Sequence, residues 1–246
     1  QIGNLDCSRA VRALGVPTAS IDRSAGDIHM AGNPHYLLDP LCGLQVAELL
    51  RDRMAALWPA EKDVFVANFA AFRQKLAEAM VGAELAKAYE YEAAKLALAY
   101  GNGTLLDLLK EQGDLGKLGG WFGLVAPLRG RPVVVDHDLW PYFAERFGFT
   151  VFGFLEPKPG MTPSTAHLEQ LGARMRDGRV QVLLASPYFP VQYSDVLQKL
   201  LPLQIAAMAH QPGARPGTDD YLAFVDHNVR AVVAALLAAE KAPSTR

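Results

Sequence analysis

Four histidines stand where the chain could turn them toward one another: His29 and His35 in one loop, and His137 and His210, each at the end of an apolar run. Three neutral imidazoles suit Zn2+, and Mn2+ or Cu2+ with less discrimination, because affinity follows the general divalent order rather than biological identity. Asp136 and Asp138 flank His137, and either is placed to orient a ring nitrogen by accepting its N–H. Glu156 opens a proline-rich turn, where a carboxylate either caps backbone amides or acts as a general base beside a metal. Singly, a strand-end histidine is more often structural than ligating. The grouping is what points to metal chemistry.

The elements that must position these groups follow from the local text. In the stretch 26–40, His29 and His35 are six residues apart, which fits neither a helical metal pair at i, i+4 nor strand alternation, so the backbone between them turns. Asn33-Pro34 favours an extended residue before the proline, and Asp39-Pro40 reads as a helix N-cap followed by proline at the first helical position. Leu44, Ala47, Leu50, Met54 and Leu57 recur at helical spacing until Trp58-Pro59 stops them. From Ala60 to about Met80, the stripe Val64, Phe65, Phe69, Phe72 and Leu76 predicts a second helix, a rod of about 30 Å suited to joining two lobes. Residues 81–130 read as two or three short helices, an insertion packed on a lobe.

From Arg131 strands and helices alternate. Strands are expected at 132–135, 150–155, 180–185 and 204–209, with helices at 139–147, after Ser164, at 193–201 and from Asp219 to about Lys241. Continuous apolar strands alternating with helices imply a parallel sheet covered on both faces. Ligands of such sheets bind beyond the carboxyl ends of the strands. His137 and His210 both follow strands, so the sheet carries them to one edge. His167 and His227 fall within helices and Trp140, Tyr142 and Phe143 on a short one, where structural roles are expected.

With 246 residues, half of them hydrophobic and a net charge of −2, the chain has room for a large core and shows no sign of a polyanion partner, so nucleic acid is disfavoured and none is expected as a partner. The apolar run Ala231–Ala239 falls short of the roughly twenty residues a membrane span needs, and the start carries no charged-then-apolar leader pattern. A soluble chain without a membrane span is expected. Cys7 and Cys42 are too far apart for a CxxC site; they permit one bridge in an oxidising compartment or two small inert side chains.

Four segments, 32–40, 118–121, 136–148 and 155–160, together resemble the metal-binding solute-binding proteins of bacterial ABC importers, the zinc and manganese receptors, and the similarity runs from about Gly26 to about Ala239. The resemblance implies two α/β lobes joined by one long helix, with metal held in the cleft between them. Carried over by position, the ligands are His35 of the Asn-Pro-His motif, His137, and His210, which stands where the family usually has an aspartate. The resemblance also implies that most of the first lobe, with its earlier histidine ligand, is absent from this chain, and His29 is the candidate to replace that ligand.

The organisation expected is a remainder of the N-terminal lobe with the metal-binding loop (1–59), a linking helix (60–80), the helical insertion (81–130) and a C-terminal α/β lobe (131–246). The function implied is a non-enzymatic, periplasmic or otherwise extracytoplasmic receptor, on the membrane side of a bacterial cell. It captures Zn2+, or Mn2+, for the permease of an ABC importer. Two alternatives have different chemistry: a zinc-dependent hydrolase with a three-histidine site and Glu156 as general base, and an adhesion or interaction protein that holds no metal.

Overall fold

Val133, Val134 and Val135 are all buried, yet they do not share a face: Val133 and Val135 join one apolar cluster and Val134 the other. A continuous β-branched run is what a strand covered on both sides requires. The computed structural model describes residues 3–17, 29–158 and 160–242. Among them lie β1 (Pro132–Val135), β2 (Thr150–Phe154), β3 (Val182–Ala185) and β4 (Gln204–Ala207). They form one parallel sheet in the order β2-β1-β3-β4. The α/β class expected from the sequence is the one found. The chain runs outward from β1 to β2 and then crosses to β3 on the other side of β1, so the order reverses between β1 and β3. That reversal opens a crevice at the carboxyl ends of the two central strands.

Ten α-helices are found among the described residues. Asp39 caps α1 (Pro40–Leu57) by accepting from the Leu41 amide at 2.8 Å, with Pro40 at the first position as the sequence predicts. After a 3-10 turn begun by Pro59, α2 (Lys62–Val81) runs for 20 residues, the expected rod of about 30 Å. Four short helices follow where two or three were expected: α3 (Ala83–Ala88), α4 (Ala93–Gly101), α5 (Leu105–Glu111) and α6 (Gly120–Val125). Their apolar faces, including Leu85, Leu96, Leu105 and Phe122, enter the same core as Val133 and Val135. The remaining helices, α7 (Pro141–Phe147), α8 (Thr165–Asp177), α9 (Val191–Gln198) and α10 (Tyr221–Lys241), alternate with the strands. Residues of α8 and α9 cover Val134 and Leu183 on the opposite face.

Among the described helices, α10 has the length, 21 residues, and the hydropathy of a membrane span. A core helix passes the same test, and Phe224, Val225, Val229, Val232 and Leu236 are buried in the core. Cys7 and Cys42 are unbridged, and Cys42 is buried beside Asp39, where burial first and the Asp39 charge second push its thiol pKa upward. Residues 26–28 of the histidine loop, Thr18 and Pro159 lie outside the described residues.

Candidate metal centre

All four strands deliver a polar residue to the crevice edge. Asp136 and His137 follow β1, Glu156 follows β2 by two residues, Ser186 follows β3 directly, and His210 follows β4 by three. Asp136 is fully buried and wholly committed: one carboxylate oxygen accepts from the His137 amide and the Trp140 indole, each at 2.8 Å, and the other from the Ser186 amide at 2.5 Å. It ties the ends of β1 and β3 together. Its oxygens face amides and an indole, so it does not orient an imidazole. Asp138 is likewise engaged elsewhere, taking the side-chain amide of Asn33.

The ring of His137 is oriented by Glu156, whose Oε2 lies 2.5 Å from Nδ1. The same oxygen accepts from the Gly160 amide at 2.9 Å, so one carboxylate both caps the 156–160 turn and holds the imidazole. Sequence reasoning set turn cap and general base against each other and gave the orienting role to the neighbouring aspartates. The signal that could have found the true partner was topological, because β2 lies next to β1 in the sheet and brings its following residue alongside. With Nδ1 engaged by the carboxylate, Nε2 is the nitrogen left for a ligand.

His35 comes from the other part of the chain. Gly32 has φ +97°, and a Cβ there would meet the Leu14 carbonyl oxygen at 2.8 Å, so this turn requires glycine. The turn places the His35 ring edge-on to His137, with ring centroids 6.5 Å apart and planes at 79°. The pKa of His35 is lowered to about 4, by burial first and then by the charges of His137, His29 and His210. His29 is exposed and its carbonyl accepts from the Gly32 amide at 3.0 Å.

His210 completes the edge on different terms. Its Nδ1 is buried without a hydrogen-bond partner, and its ring stands edge-on to Tyr188 at 5.0 Å. Burial lowers its pKa, as does the nearby Arg215 charge, against a raising effect of Asp136. The donor set therefore suits a divalent cation chemically: imidazole nitrogens, one of them, on His137, backed by a carboxylate. Among the described residues, no three His, Cys, Asp or Glu side chains stand close enough as placed to hold one ion. His167 and His227 have backbone partners, the carbonyls of Phe154 at the end of β2 at 3.1 Å and Ala207 at the end of β4 at 2.8 Å.

The fold resembles that of metal-binding solute-binding proteins. A structure described as ZnuA aligns with a TM-score of 0.59 at 20% identity, covering 95% of this chain and 69% of that one. The solute-binding protein FpvC of Pseudomonas aeruginosa, in complex with Ni2+, aligns at 0.58 and 16% identity, covering 89% of this chain and 67% of that one. Residues 123–235 match the family model described as "ZnuA: Zinc-uptake complex component A periplasmic". The high-affinity zinc uptake system protein ZnuA of Yersinia pestis is 24% identical over 194 residues, 79% of this chain and 46% of that protein. The chain is similar to these zinc-uptake proteins. It spans about half the length of the curated relative it matches. The family-model match includes His137, Glu156 and His210 and stops short of His35 and His29.

Proposed function

We propose that this chain is the metal-holding part of an extracytoplasmic receptor that captures Zn2+, or Mn2+, and hands it to the permease of a bacterial ABC importer. The ligands in this reading are His35, His137 and His210, with His29 as the fourth candidate. The observation that carries it is the meeting of His35, from the loop before α1, with His137 at the end of β1, within reach of the charges of His29 and His210. Imidazole nitrogens favour zinc over manganese, which prefers oxygen. In the same reading, residues before 60 are the remainder of a first lobe, α2 is the link and residues from 131 form the second lobe.

The contacts of Glu156 weigh against hydrolysis. A general base must face the water it activates, whereas this carboxylate faces the His137 ring and the Gly160 amide. A receptor uses such a carboxylate to hold a ligand in place.

The test is elemental analysis of purified, dialysed protein beside the His35→Ala/His137→Ala/His210→Ala variant. Stoichiometric zinc in the unsubstituted chain and none in the variant is expected. Equal metal content in both would remove these residues from the site.

A further inference from the structure

Asn33 is the residue through which the two ends of this arrangement touch. Its Oδ1 accepts from the His35 amide at 2.9 Å, while its Nδ2 donates to the Asp138 carbonyl at 2.7 Å and to Asp138 Oδ2 at 3.3 Å. Its backbone is held as well, the amide donating to the Leu14 carbonyl at 2.7 Å and the carbonyl accepting from the Tyr142 hydroxyl at 3.0 Å. One side chain thus joins the amide of His35 to the residue after His137, across 105 positions of sequence. The identity is demanding. Only a primary amide offers an acceptor and two donors on one carbon; aspartate lacks the donors and glutamine carries the group one methylene further out. The partners also fix which way the amide points, because the His35 N–H needs an acceptor and both Asp138 oxygens need a donor.

We infer that Asn33 is a positioning residue for metal capture, setting the His35 ring against His137, and this rests on the receptor reading above. It touches no metal itself. Its effect is to make the His35–His137 separation a property of one hydrogen-bonded bridge rather than of two independently moving segments. Outer contacts of this kind are worth about ten- to a hundredfold in metal affinity.

The experiment measures Zn2+ affinity by competition with a chromophoric chelator, the visible absorption of the Co2+ form, and the melting temperature of the metal-free protein. Four proteins are compared: the unsubstituted chain, Asn33→Asp, Asp138→Asn and the double variant. Asn33→Asp keeps the acceptor for His35 but loses both donors and sets a second carboxylate against Asp138. It should weaken zinc binding by about ten- to a hundredfold and change the Co2+ bands. Asp138→Asn alone retains the backbone acceptor and should cost less than about tenfold. The double variant restores a donor between the two side chains but leaves the backbone carbonyl of residue 138 unserved, so it should recover part of the affinity and move the bands back toward the original.

Unchanged affinity in Asn33→Asp would overturn the inference. So would a double variant no better than Asn33→Asp in both affinity and Co2+ bands, or a loss that tracks the melting temperature while the Co2+ bands stay put. Failure of the unsubstituted chain to bind zinc would overturn the receptor reading, and the inference with it.

Discussion

The two sides of the crevice are built to different standards. On the β1 side nearly every group near the histidines is committed: Glu156 holds the His137 ring, Asn33 holds the His35 backbone, and Asp136 pins the strand ends. Behind them, Arg146 of α7 grips Asp39 with two hydrogen bonds of 2.7 and 2.9 Å, anchoring the start of α1. On the β4 side His210 has a buried, unpaired Nδ1 and leans on Tyr188, which is 56% exposed. The loop after it is fastened by Arg215, which donates to the Met208 carbonyl at 3.1 Å. One side presents its imidazoles at fixed positions, and the other leaves its imidazole to be satisfied by what arrives. A capture site benefits from both, since preorganised ligands reduce the cost of binding and an unpaired one gains a partner on binding.

The largest difference should appear in stability. Arg146 and Asp39 are both nearly inaccessible, so Arg146→Met strands a buried carboxylate and should cost about 3–5 kcal/mol in denaturant unfolding. His210→Leu removes an unpaired buried nitrogen and should stay within about 1 kcal/mol of the unsubstituted chain. Comparable losses from both would erase the distinction between the two sides.

Metal affinity sharpens it at smaller scale. Glu156→Gln keeps the size of the side chain but removes the charged acceptor of His137, and a loss of about ten- to a hundredfold in zinc affinity is expected by chelator competition. Tyr188→Leu, on the other side, takes away only an edge-on ring contact, for which less than about tenfold is expected.

Protons test the same contrast from the side of His35. Its pKa in the folded protein is about 4, against an ordinary value of 6.5. Below 6.5 the unfolded chain therefore binds more protons than the folded one, and stability of the metal-free protein should fall as pH drops toward 4. His210 is shifted in the same direction and adds to the slope. Above pH 6.5 neither group should contribute. His35→Gln should flatten the profile between pH 6.5 and 4 in urea titrations, and an unaltered profile would show that His35 is not buried as described.

How much of this was legible beforehand depended on the range of the interaction. β1 and the capped start of α1 were readable because a buried valine run and an Asp-Pro cap act within a few residues. The carboxyl-edge placement of His137 and His210 was readable too, since parallel topology dictates it. The partners were not. Glu156 meets His137 across 19 positions and Asn33 meets Asp138 across 105, and both pairings depend on strand order and on the approach of the first loop, neither of which has local text. The neighbouring aspartates were the natural guess from sequence, but Asp136 takes two backbone amides and the Trp140 indole, and Asp138 takes the Asn33 side-chain amide. The 81–130 region was under-read in part because one break, between α3 and α4, is built on Glu90 and Tyr91 at φ 53° and 57°, which composition does not announce, whereas glycines such as Gly103 and Gly113 mark others.

The smallest effect concerns how the two sides are joined. Tyr221, the first residue of α10, reaches over Gly43, where a methyl group would overlap its ring, and its hydroxyl lies 3.0 Å from the Leu37 carbonyl and 3.2 Å from that of Asp39. It is the contact by which the helix following the His210 loop touches the segment following His35. The Asp39 carbonyl is also served by the Gly43 amide at 3.0 Å, so Tyr221→Phe should cost only about 0.5–1.5 kcal/mol in denaturant unfolding. Its effect on zinc affinity decides what the contact is for. If the two sides close as independent pieces, affinity should be unchanged; if α10 transmits the position of the His35 segment to the His210 loop, Tyr221→Phe should weaken binding while leaving the Asn33→Asp defect undiminished, because the two contacts constrain different sides.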